Sequence, residues 1–206
     1  MDETAAHGDP APRRSQLGTW IGVLVVVAVG LTLVKLVAYL QTPRVGEHHA
    51  VGTKFVALDV VPLLGTEQPL SLEDLKGKVT LVNFWKPSCS RCLQELPHLA
   101  ELHDARADRE DFKLLSLILN GSAPINLGPL RKDVSGVLLR RNIEMPVYTD
   151  PQGTTQQALA ITTGWQGGIP VTIVLDRQGI IRGVWNGYVS GDEKGMAQLV
   201  DRLLEE

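Results

Sequence analysis

The hydrophobic pattern of this chain changes character three times, and each change marks a different kind of segment. Residues 1–16 are small, polar and proline-containing, which predicts a disordered tail. From Leu17 to Val34 no side chain carries a charge, and beyond Lys35 the apolar run resumes through Tyr39 and Leu40. Residues 17–40 are therefore long enough to cross a hydrocarbon core of about 30 Å as one helix. Trp20 and Tyr39 would lie near its two surfaces, with Lys35 reaching back to water. A cleaved signal peptide fits less well, because its apolar core runs to roughly 7–15 residues and ends at a small-residue cleavage site. Residues 41–53, with Pro43, Gly46 and Gly52, read as a linker, in which the adjacent His48 and His49 are solvated.

From Lys54 to Glu206 the periodicity alternates between strand and helix. Phe55–Val61 and Leu70–Leu72 predict short strands, followed by a polar turn over Glu73–Lys78. Val79–Phe84 is an almost unbroken apolar run of strand length, as a buried central strand requires. A helix follows over about Ser90–Ala105, kinked near Pro97. Phe112–Leu119 predicts a second buried strand, Leu130–Arg141 a helix, Pro146–Tyr148 a brief strand and Thr154–Ile161 another helix. Val171–Leu175, a turn at Asp176–Gly179 and Ile180–Trp185 form a β-hairpin. Asp192–Glu205 closes the chain as an amphipathic helix with Met196, Leu199, Val200 and Leu203 inward. This order predicts an α/β domain in which a mixed central sheet carries helices on both faces.

Composition narrows the chemistry. The 206 residues accommodate the membrane segment and one domain of about 160 residues. A formal net charge of −3, without a basic cluster, argues against nucleic acid. The two cysteines are too few for a disulfide framework, but Cys89 and Cys92 stand three residues apart where the central strand turns into a helix. A helix N-terminus presents unpaired N–H groups and the positive end of the dipole, which favour a thiolate. Cys89 is the candidate nucleophile, with Arg91 adding a nearby positive charge, and Cys92 is placed to resolve a mixed disulfide. Metal binding by the same pair is the alternative. However, His98 points to another face of the helix, and His103 lies about 16 Å farther along it. No metal site follows from this helix alone, which leaves a two-coordinate copper thiolate as the metal reading.

Three more residues complete the candidate site. Pro170 enters a strand and is either an edge proline or a cis turn. Facing the thiols, it would present the Ile169 backbone to an extended client segment. Trp165 would line the same groove or pack beneath it. Glu95, one turn after Cys92, either exchanges a proton with Cys92 from a buried position or pairs with Arg91 in solvent. A peroxidase would want Thr or Ser three residues before its cysteine, and Lys86 occupies that position.

The run Leu70–Trp85, then Cys89-Ser90-Arg91-Cys92 and Glu95-Leu96-Pro97, with Gly168-Ile169-Pro170 and the Asp176–Gly179 hairpin, resembles the TlpA/ResA-like thioredoxins over residues 51–206. The resemblance implies a thioredoxin-like fold, a membrane tether and a domain on the outer, periplasmic side, where disulfides persist. Basic residues do not decide the orientation, since Arg13 and Arg14 on one side balance Lys35 and Arg44 on the other. The resemblance further implies Cys89 as attacking thiol, Cys92 as resolving thiol, Pro170 as the cis-proline and Glu95 as an active-site acid. No cofactor beyond the redox-active disulfide and no metal is expected. The expected activity is reduction of extracytoplasmic client disulfides, often in cytochrome c maturation, with electrons from a DsbD/CcdA-type membrane carrier. Ser88, where an aromatic residue is common, and the Ser90-Arg91 dipeptide depart from the family pattern. Both positions tune redox potential, so a disulfide donor remains the alternative direction.

Overall fold

The computed structural model describes residues 16–40, 48–119 and 126–206, with side chains of the first helix described over 20–34. The chain divides into two units, Met1–Pro43 and Arg44–Glu206. In the first, α1 (Gln16–Leu40) is a helix of 25 residues, and the large apolar side chains described over 20–34, Trp20 and Leu24 among them, are exposed. Among the residues described with their side chains, no helix is long and apolar enough to cross a membrane. The tail expected over 1–16 lies almost wholly outside the described residues, as do 41–47 of the expected linker. Residues 48–53 belong to the second unit's fold: Ala50 is fully buried, and the Gly52 N–H donates to the Ile181 carbonyl at 2.8 Å.

The second unit is built on a seven-stranded mixed sheet of order β2-β1-β5-β4-β3-β6-β7. Its strands are β1 (Asp59–Leu64), β2 (Leu70–Ser71), β3 (Val79–Trp85), β4 (Phe112–Ile118), β5 (Val147–Thr149), β6 (Val171–Leu175) and β7 (Ile181–Asn186). The parallel run β3-β4-β5 is flanked by antiparallel β6 on one side and antiparallel β1 on the other. Every residue of β3 is buried, because both faces of the sheet are covered. Val79, Leu81 and Trp85 face the core made with α2 (Ser90–Asp104), α3 (Leu127–Arg141) and α5 (Asp192–Glu205). Val82 and Phe84 face the opposite core, closed by α4 (Thr154–Thr163), Phe55 and Leu75.

Some boundaries differ from the sequence reading for identifiable reasons. Phe55–Leu58 does not pair as a strand; only Lys54 bridges Ile180, and β1 begins at Asp59. Pro62 sits inside β1, at the register irregularity between Pro62 and Leu64, which is where a residue without an N–H is tolerated. The expected turn at Glu73–Lys78 begins with a 3-10 helix over Leu72–Leu75, whose start is held by Asp74 accepting from the Ser71 N–H and hydroxyl, both at 2.7 Å. Helix α3 begins three residues earlier than expected because the Asn126 side chain caps it by accepting from the Gly128 N–H. Pro129 then falls in the first turn, where its missing N–H leaves no bond unmade.

Candidate functional site

The strand β3 delivers the chain to the end of the sheet, and α2 starts within five residues of it. Cys89 is the N-cap residue of α2, with extended backbone angles, and its sulfur accepts the Cys92 N–H at 3.1 Å. That bond is available to a thiolate as well, and it places one of the helix's unpaired donors on the sulfur. Cys89 and Cys92 are joined as a disulfide. The two sulfurs nevertheless occupy different surroundings, for Cys89 is half-buried while Cys92 is fully buried against the core.

The loop before β6 completes the rim. Its Ile169–Pro170 peptide bond is cis, and the Ile169 carbonyl oxygen lies 3.8 Å from the Cys89 sulfur. In the disulfide state that sulfur has no proton, so this is a contact; a Cys89 thiol would have the carbonyl as an acceptor. Trp165 is half-buried, fixed by its indole N–H donating to the Gly168 carbonyl at 2.5 Å. Its ring packs against the second core and also lines a groove with Arg91, Ile169 and Asn186. The two roles considered for Trp165 therefore coexist.

Beneath the rim lies a buried polar triangle. Glu95 is fully buried, on the same helix face as Cys92 three residues before it. Its Oε2 accepts from Asn83 Nδ2 at 2.8 Å and its Oε1 from the Thr172 hydroxyl at 2.9 Å. Asn83 Nδ2 also donates to Thr172 Oγ1 at 2.9 Å, and the two residues are partners in the β3–β6 register. Pairing of Glu95 with Arg91 in solvent is thus replaced by pairing inside the core. Burial pushes the Glu95 carboxyl up to about 7, against the pull of the Thr172 and Asn83 hydrogen bonds toward the charged form. A carboxyl there both takes and releases a proton near neutrality, as an acid–base partner of Cys92 must.

Asn83 and Thr172 carry no local motif that marks them as site residues in the sequence. The available signal is an amide inside a largely apolar buried strand, a costly placement that Glu95 and Thr172 offset at Nδ2 while Oδ1 has no hydrogen-bond partner among the described residues. His98 lies beside Tyr188, and His48 and His49 stack on one another. Among the described residues no group of three or more His, Cys, Asp or Glu could hold a metal ion.

Comparison with known proteins gives a consistent result. The profile described as "AhpC/TSA family" matches residues 51–184. The thioredoxin-like protein YneN of Bacillus subtilis (strain 168) is 27% identical, the match covering 90% of this chain and 98% of that protein. The thiol-disulfide oxidoreductase ResA of Geobacillus kaustophilus (strain HTA426) is 25% identical, over 88% of this chain and 92% of its own. A thiol:disulfide interchange protein of the thioredoxin family from Chlorobium tepidum TLS has the same fold, with a TM-score of 0.59 at 24% identity, covering 74% of this chain and 97% of that one. The architecture is thioredoxin-like, and the resemblance to the TlpA/ResA-like proteins holds.

Proposed function

Given that the chain belongs to the AhpC/TSA family and is a thiol–disulfide oxidoreductase, we propose that it works as a reductase of protein disulfides through Cys89 and Cys92. The observation that carries exchange through this pair is its asymmetry over a buried acid: a half-buried Cys89, a buried Cys92, and a buried Glu95 whose carboxyl is raised to about 7; the direction follows from the TlpA/ResA-like resemblance. The Cys89 thiolate attacks one sulfur of the client disulfide, a mixed disulfide forms, and one client thiolate leaves. Cys92 gives its proton to Glu95 and attacks the Cys89 sulfur. The Cys89–Cys92 disulfide closes, and the second client thiolate departs with the proton that Glu95 returns. Two electrons have then passed to the client, and the pair has reached the oxidised state described above. During attack the client segment lies extended along the Ile169 backbone, with Pro170 setting the direction of the loop and Trp165 flooring the groove.

A dithiol donor must restore the pair, and a DsbD/CcdA-type membrane carrier fits that requirement. The apolar sequence of α1 supports its use as a single-pass anchor over 17–40, with the tail of 1–16 cytoplasmic and the oxidoreductase domain on the periplasmic side, where client disulfides persist. Cytochrome c maturation, the setting that the TlpA/ResA-like resemblance implies, suits such a reductase. The reduction potential of the Cys89–Cys92 pair in the full-length chain tests the direction. A value near −270 mV, about that of thioredoxin, is expected; a value near about −120 mV would make the protein a disulfide donor.

A further inference from the structure

The groove beside the disulfide has a volume of about 370 Å³, at the small end of binding pockets, and opens next to Ile169. Arg91, Trp165, Gln166, Gly168, Ile169 and Asn186 are among its lining residues, and no Asp or Glu is. Arg91 stands between the two cysteines and is exposed. Its guanidinium lies over Gly187, with Nη1 3.9 Å from the position of a Cβ there. Elsewhere in the domain Arg106, Arg109, Arg177 and Arg182 are each paired with an aspartate, while Arg131, Arg140, Arg141 and Arg202 have no ion pair among the described residues and lie outside this groove. Arg91 has no ion pair among the described residues, although the chain as a whole is net negative. An uncompensated guanidinium on the wall of a groove is suited to a planar anion that arrives with the bound molecule.

On the exchange reading above the occupant is a client polypeptide that brings its disulfide to Cys89, and the planar anions among its side chains are the carboxylates of Asp and Glu. Resting on the exchange reading above, we propose that this groove selects client segments bearing a carboxylate side chain beside the disulfide cysteine, with Arg91 as the specificity-determining residue. Trp165 supplies a flat apolar floor for the segment and Asn186 a neutral polar wall. A lysine at the same client position meets the guanidinium head-on and is disfavoured. The selection acts on capture of the client, before any sulfur is exchanged.

Two peptides with one disulfide each, identical except for Glu or Gln beside the cysteine, test this with the full-length protein in detergent. At low ionic strength kcat/KM for the Glu peptide is expected to exceed that for the Gln peptide roughly two- to fivefold, the range of an exposed ion pair. Near 1 M salt, where the screening length is about 3 Å, the preference should shrink toward unity. In Arg91→Gln the ratio should fall to one whatever the variant's own rate, while Arg91→Lys keeps part of it. Because each ratio is taken within one variant, a change in redox potential cancels. A ratio of one in the native chain, or a preference that survives Arg91→Gln, overturns the proposal. Failure to reduce either peptide instead overturns the exchange reading on which it stands.

Discussion

Cys89 and Cys92 are one helical turn apart, yet one belongs to a wet rim and the other to a dry floor. At the rim, Cys89, Arg91, Ile169 and Trp165 meet solvent and a groove. On the floor, Cys92, Glu95, Asn83 and Thr172 are all fully buried. The contrast separates two tasks that a symmetric pair could not divide. On the proposed mechanism, choice of partner falls to the exposed side chains and handling of the proton to the buried carboxyl that low polarity brings to about 7.

Removing either sulfur breaks the contrast most severely, and the two removals differ in kind. Cys92→Ser should reduce turnover to background while accumulating a covalent client adduct, seen as added mass in the intact protein; Cys89→Ser should lose turnover without any adduct. If both variants behaved alike, the assignment of attack to the rim would be wrong. Next in size is Glu95→Gln, which should slow resolution on the order of 10²-fold, the low end for acid–base assistance, and erase an inflection near pH 7 in the single-turnover rate.

The same carboxyl leaves a mark on stability. Its proton is bound more tightly in the folded state than at the ordinary 4.5, so its contribution is complete below about pH 4.5 and lost as pH rises through about 7. Thermal denaturation of the oxidised protein should therefore show stability falling over that window by up to about 3 kcal/mol, and Glu95→Gln should flatten the slope. The smallest effect is expected from Thr172→Val, which removes a donor that favours the charged form. The Glu95 inflection should move upward by about one unit with the disulfide chemistry otherwise intact. A downward move would mean that the hydroxyl serves the protonated form instead.

The sequence made the rim easier to read than the floor. Cys89, Cys92 and Pro170 lie in local patterns, a strand running into a helix and a proline entering a strand, and local patterns are what periodicity and turn chemistry reveal. β3, α2, the β6–β7 hairpin and α5 were legible for the same reason, since each buries a continuous apolar face. The pattern around β1 points too early in the chain because Pro62 interrupts it, and only the irregularity at that position shows how the strand accommodates the proline. The floor depends on contacts between residues 77 and 89 positions apart. Spacing could set Glu95 near Arg91 or near Cys92, but only the docking of β6 against β3 shows which neighbours it has.

That long-range origin makes the acid a product of folding, whereas the thiols are present in the chain from the start. An unfinished chain, or one locally melted at β6, would expose Cys89 and Cys92 beside an ordinary surface glutamate. It could still be captured by a client disulfide, but it would have poor means of letting go. On the proposed mechanism the register that joins Asn83 to Thr172 would therefore act as an internal checkpoint, separating a finished exchanger from a sticky thiol.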